Sequence, residues 1–73
     1  MNEHIVIDPQ IQHGKPVIRG TRVPVSRILG GLAGGMSFEA IAREYDVTDD
    51  DIRAAIRYAG ELVESEAHYP LPA

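Results

Sequence analysis

Arg53 and Arg57 stand four residues apart in a segment whose apolar residues recur at helical spacing, which puts both guanidinium groups on one face of a helix. Two forked donors side by side on an outer face suit guanine edges or phosphates. The same arginines have a plainer use, pairing with Asp49, Asp50 and Glu61 on their own helix, and the spacing alone does not choose between the two. The rest of the chain offers less chemistry. His4, His13 and His68 are isolated, lacking the i, i+4 spacing of a helical metal pair and any adjacent carboxylate motif, so they read as surface histidines. Ser26, Ser37 and Ser65 lie outside any nucleophile-elbow context, and Gly14-Lys15-Pro16 lacks the spaced glycines and hydroxyl of a phosphate loop. No catalytic residue, metal ligand or cofactor is therefore expected.

The elements that must position the arginines follow from periodicity and punctuation. Thr48 is an N-cap with Asp51 in the capping-box position, and Ile52, Ala55, Ile56, Ala59, Leu62 and Val63 continue as an apolar stripe to about Ala67. That stripe leaves Asp50, Arg53, Ala54, Arg57 and Glu61 on the outer face. Upstream, Ser37 caps a shorter helix carrying Phe38, Ile41, Ala42 and Tyr45, and Asp46-Val47 breaks the pattern before Thr48. A short helix, a connection of about three residues and a second helix form a helix-turn-helix pattern, with Phe38 to Tyr45 as support and the helix from Thr48 as the reader of DNA. A further helix is predicted from Val25 through Ile28, Leu29 and Leu32, opening at Pro24 and closing at Gly34-Gly35. Gly30 and Gly31 within it mark either close packing or fraying.

The front of the chain is extended. Ile5 to Asp8 reads as a short strand halted by Pro9, Val17-Ile18 as a second, and Arg19-Gly20-Thr21-Arg22 as a glycine-dependent turn leading to the extended Val23-Pro24-Val25. The expected fold is thus mainly α: a short N-terminal β-hairpin followed by a three-helix bundle, a single domain over residues 1–67 with a flexible tail at 68–73.

With 73 residues and no cysteine, one small core must supply the stability without disulfides, and self-association is the default expectation. The open edge at Ile5 to Ile7 points to a homodimer joined through the N-terminal strands. The start carries no basic leader and no apolar run approaches the roughly 20 residues of a membrane span, so a cytoplasmic protein without a membrane partner is expected. The net charge of −4 argues against nucleic acid, but it is unevenly placed. Up to Gly35 four basic residues face two acidic ones, a net +2, whereas from Met36 three face nine, a net −6. The acidic run Asp49-Asp50-Asp51 suits the positive end of a helix dipole and burdens a groove-entering helix tip.

The run Gly14-Lys15-Pro16-Val17-Ile18-Arg19-Gly20-Thr21-Arg22-Val23-Pro24-Val25 is more distinctive than these patterns. With Gly35, the Ile41-Ala42 pair and Ile52-Arg53-Ala54-Ala55, it resembles the bacterial domain-of-unknown-function family 433 over about Ile5 to Ala59. The resemblance implies a VapB-type antitoxin with a homeodomain-like or winged-helix-like fold, repressing its own promoter and blocking a PIN-like ribonuclease toxin. It implies Gly20, Thr21 and Arg22 as a signature turn. It also implies Arg53 and Arg57 as recognition-helix contacts to operator DNA and Tyr69 to Ala73, with Tyr69 and Leu71, as a toxin-facing tail. On charge, Arg43, Arg19 and Arg22 are the cations expected to offset the acidic turn at the DNA, beside Thr48 at the helix start, and Glu61, Glu64 and Glu66 form an acidic helix face suited to the toxin's basic groove. A protein-binding module of the same fold, kept from DNA by its acidic turn, is the competing expectation.

Overall fold

The computed structural model describes residues 2–66. Among these, two strands are followed by three α-helices: β1 (Ile5–Val6), β2 (Val17–Ile18), α1 (Val25–Ala33), α2 (Phe38–Tyr45) and α3 (Asp49–Ser65). The fold is the expected β-hairpin ahead of a helical body, with shorter strands. β1 was expected to run to Asp8 and stops at Val6; it pairs antiparallel with β2, Ile5 opposite Ile18 and Val6 opposite Val17. The intervening chain makes a single 3₁₀ turn at Gln12–Gly14.

After β2 the chain turns on Gly20, whose φ of 80° is a left-handed value that a side chain would strain. Thr21 clamps this turn, its Oγ1 donating to the Ile18 carbonyl at 2.8 Å and accepting from the Val23 N–H at 2.9 Å. Val23 and Pro24 then run back beside β2, with Ile18 N–H donating to the Val23 carbonyl and a bridge from Val17 to Pro24. The turn thereby sets the entry of α1, whose first N–H, on Val25, donates to the Pro16 carbonyl.

The helices close one core around Ile18, Ile28, Ile41 and Ile52, all fully buried, with Ile5, Val25, Val47 and Ala55 completing it. Gly31 explains how α1 approaches so closely: a Cβ there would lie 3.1 Å from Met36 Sδ and 3.4 Å from Ile41 Cδ1, whereas a Cβ on Gly30 would meet nothing within 4 Å. Close packing thus accounts for one of the two glycines. α2 ends at Asp46, a non-glycine residue in the left-handed region (φ 54°), and Val47 drops from the turn into the core. Thr48 restarts the helix with both halves of its capping box made. The chain is therefore broken between α2 and α3 and is no continuous rod.

Two assignments on α3 need correction. Ala54, expected on the outer face, is fully buried, because the N-terminal segment covers a flank of α3 that periodicity had left to solvent. Asn2 Nδ2 donates to the Ala54 carbonyl at 2.8 Å there. Conversely, Ile56, Leu62 and Val63, expected in the core stripe, are 42%, 51% and 55% exposed. Ile56 and Val63 lie on an exposed flank of the 17-residue α3, while Tyr58 between them still packs against the core.

Candidate nucleic-acid interface

The turn Asp46-Val47-Thr48 presents the start of α3, and the side chains there are fixed by local chemistry. The Thr48 hydroxyl accepts from the Asp51 N–H at 3.0 Å and the Asp51 carboxylate accepts from the Thr48 N–H at 3.0 Å, satisfying donors that a helix start leaves unpaired. Asp51 also meets His4 Nδ1 at 2.9 Å. Burial pushes the Asp51 carboxyl up, but the Thr48 N–H, the His4 ring and the Thr48 hydroxyl together outweigh it and hold the group below its ordinary value of 3.8. His4 is thus a bracket between the N-terminal segment and α3. Sequence reasoning passed over it because its carboxylate lies 47 residues away, and no local signal marks such a pair.

Arg53 and Arg57 both lie exposed on α3. Arg53 is anchored: its Nε donates to Asp49 Oδ2 at 2.8 Å, and its guanidinium sits 5.3 Å from the centre of the Phe38 ring on α2. The hydrogen bond and charge of Asp49 raise the Arg53 pKa further, so this side chain is a fixed positive charge. Arg43 is exposed on α2 and paired with Glu39 at 3.0 Å. Arg57 forms none of the ion pairs among the described residues.

Arg19 comes to the same end of the molecule. Its Nε donates to the Glu3 carbonyl at 2.6 Å, and it lines a shallow hollow with Glu3, His4 and Asp51 beside the start of α3. Arg22 is exposed on the hairpin turn, where its carbonyl accepts from Gln12 Nε2. Of the signature turn, Gly20 and Thr21 therefore shape the backbone, and Arg22 alone presents its side chain. Glu61, Glu64 and Glu66 are all exposed on the far end of α3. Tyr69 and Leu71 lie outside the described residues. Among the described residues no group of His, Asp and Glu side chains is placed to hold a metal ion, and no helix is long and apolar enough to cross a membrane.

The arrangement has relatives of known sequence and structure. A Mycobacterium tuberculosis protein named "Putative antitoxin VapB45" is 42% identical over 53 residues, covering 73% of this chain and 22% of its own. The "Uncharacterized protein y4eO" of Sinorhizobium fredii is 40% identical over 58 residues, 78% of this chain and 26% of its own. The crystal structure of the M. tuberculosis protein Rv2018 superposes with a TM-score of 0.67 at 42% identity, over 71% of this chain and 24% of that one. The chain thus spans about a quarter of the length of the curated relatives it matches. Residues 5–59 match the model of the family described as "Protein of unknown function (DUF433)", and the chain belongs to that family.

Proposed function

We propose that this chain serves as an antitoxin that binds its own promoter DNA through α2 and α3 and neutralises a PIN-like ribonuclease toxin, without catalysis of its own. The observation that carries the DNA half is the α2–turn–α3 unit, with Arg53 held exposed beside Thr48 at the start of α3 and Arg43 exposed on α2. Arg57 one turn further along, and Arg19 and Arg22 on the hairpin, complete the cationic set. The name of the relative "Putative antitoxin VapB45" supports the antitoxin half. Glu61, Glu64 and Glu66 on the projecting end of α3 supply a negative face suited to the basic substrate groove of a ribonuclease, with Tyr69 and Leu71 beyond them in sequence.

A mobility shift with the chain's own upstream DNA tests the first half. Binding should weaken as salt rises, and Arg53→Ala should lower affinity about tenfold or more if that side chain reads a base. The absence of any shift at low salt would overturn it. Copurification with the neighbouring nuclease tests the second half: changing Glu61, Glu64 and Glu66 together to lysine should abolish it, and unchanged recovery would remove the acidic face from the reading.

A second reading has one observation in its favour. Asp49, Asp50 and Asp51 occupy the end of α3 that would enter a groove, and Asp49 already neutralises Arg53. Under it the fold is a protein-binding module, and the nuclease would be retained while DNA is ignored.

A further inference from the structure

The outer face of α3 carries an apolar pattern that stays exposed in the fold of the described residues. Ile56 is 42% exposed and Val63 is 55% exposed, and between them stands Gly60. The spacing of four and then three residues sets the three in one line along the helix. A glycine inside a helix weakens it, and a Cβ at Gly60 would meet nothing within 4 Å, so no packing among the described residues calls for it. In contrast with Gly31, its small size has no counterpart within the fold.

One edge of this seam is charged. Arg57 and Glu64 are seven residues apart, hence on the same flank of the line, both exposed and neither in an ion pair among the described residues. When two copies of a helix pack antiparallel about a twofold axis, each flank faces its own counterpart running in reverse. Centred on Gly60, Arg57 of each copy then stands opposite Glu64 of the other, giving two interchain pairs. In a parallel arrangement that flank faces the opposite one, which carries Ala59 rather than an acid near the level of Arg57 and Glu66 rather than a cation near the level of Glu64.

We propose that a second copy of this chain docks on the outer face of α3, the two helices crossing antiparallel at Gly60 with Ile56 and Val63 packed across the seam and Arg57–Glu64 pairs along its border. The two-residue edge of β1 offers too few backbone groups to compete with this face as the joint between copies. The dimer takes Arg57 from the DNA-facing set and Glu64 from the toxin-facing set, leaving Arg53 and Glu61 with Glu66 to those roles. It is independent of whether DNA or a nuclease is bound.

The test is sedimentation of the full chain across a concentration series. The wild type should dimerise reversibly. Gly60→Gln fills the crossing point while favouring the helix, so it should raise the melting temperature of the dilute monomer yet weaken dimerisation at least tenfold. That combination separates a lost interface from a lost fold. Arg57→Glu and Glu64→Arg should each weaken the dimer about tenfold, and the double exchange should restore it to within about threefold. A wild-type monomer at millimolar concentration, a dimer indifferent to Gly60→Gln, or a dimer lost on Val6→Pro alone would each overturn the proposal.

Discussion

Removing the Asp51 carboxylate tests how the start of α3 is held. Asp51→Ala deletes the acceptor for the Thr48 N–H, the charge at the helix N-terminus and the partner of His4 Nδ1. The side chain is 20% exposed and His4 is 42% exposed, so the pair lies in a partly wet setting. A lost cap costs about 1 kcal/mol. The dipole interaction adds about 0.3–1 kcal/mol, the partly exposed hydrogen bond with His4 adds about 0.2–1 kcal/mol, and the better helix propensity of alanine returns about 0.5 kcal/mol. The net expectation is a loss of about 1–2.5 kcal/mol at pH 7, or roughly 4–20 °C in melting temperature for a domain of this size.

The pH dependence carries the sharper part. Because the folded pKa of Asp51 lies below its ordinary 3.8, the carboxylate contributes stability in full above that value and loses it as pH falls through the lower folded value. Circular dichroism melts of wild type and Asp51→Ala should therefore differ most at pH 6–7 and converge at or below about pH 3. In a double-mutant cycle, His4→Ala should couple to Asp51→Ala by about 0.5 kcal/mol. A stability gap that stays constant from pH 7 to pH 3 would refute the charged cap, and zero coupling would refute the bracket.

Gly30→Ala should stabilise the chain by up to about 1 kcal/mol in urea melts, because its Cβ would meet open space, whereas Gly31→Ala must displace Met36 Sδ and should fall short of it. Ala54→Leu should cost about 1–3 kcal/mol by overpacking, as befits a fully buried position; a neutral result would return Ala54 to the outer surface. Gly20→Ala should cost about 1 kcal/mol or more, since its φ of 80° stays fixed by the Thr21 clamp. Asp49→Asn should tighten DNA binding in the mobility shift, as it frees Arg53 and removes one negative charge from the start of α3.

The sequence made the helices legible because their signals are local. Ser37 and Thr48 cap where expected, with the Ser37 Oγ accepting from the Ala40 N–H, and Asp46-Val47 breaks the chain between α2 and α3. What a periodicity argument sees is the direction of a side chain, and it assumes a neighbour on one side only. α3 violates that assumption twice. The N-terminal segment covers Ala54 on a second side, and although Tyr58 still packs against the core, Ile56 and Val63 fall on an exposed flank of α3 and Leu62 only borders a hollow beside Leu29, so that all three keep the spacing of core residues without being buried. The His4–Asp51 contact was illegible for a related reason, since it depends on where β1 lies against α3.

The acidic run at the start of α3 looks different once its side chains are placed. Asp51 is turned toward Thr48 and His4, and Asp49 lies against Arg53, so two of the three carboxylates are already matched within the fold. Asp50 alone remains exposed without an ion pair. Only Asp49 is offset by a full positive charge, so the repulsion that this end of α3 would offer a phosphate backbone is closer to that of two acids than of three, with Arg19 beside the hollow that Asp51 lines. In the proposed DNA-binding role the same pairing would limit Arg53, which would have to exchange a carboxylate for a phosphate or a guanine edge, so its contribution to affinity would be a difference between two partners. In that role an arginine held in this way would favour discrimination over raw affinity, leaving Asp49 only for a site that offers a comparable acceptor in the same geometry.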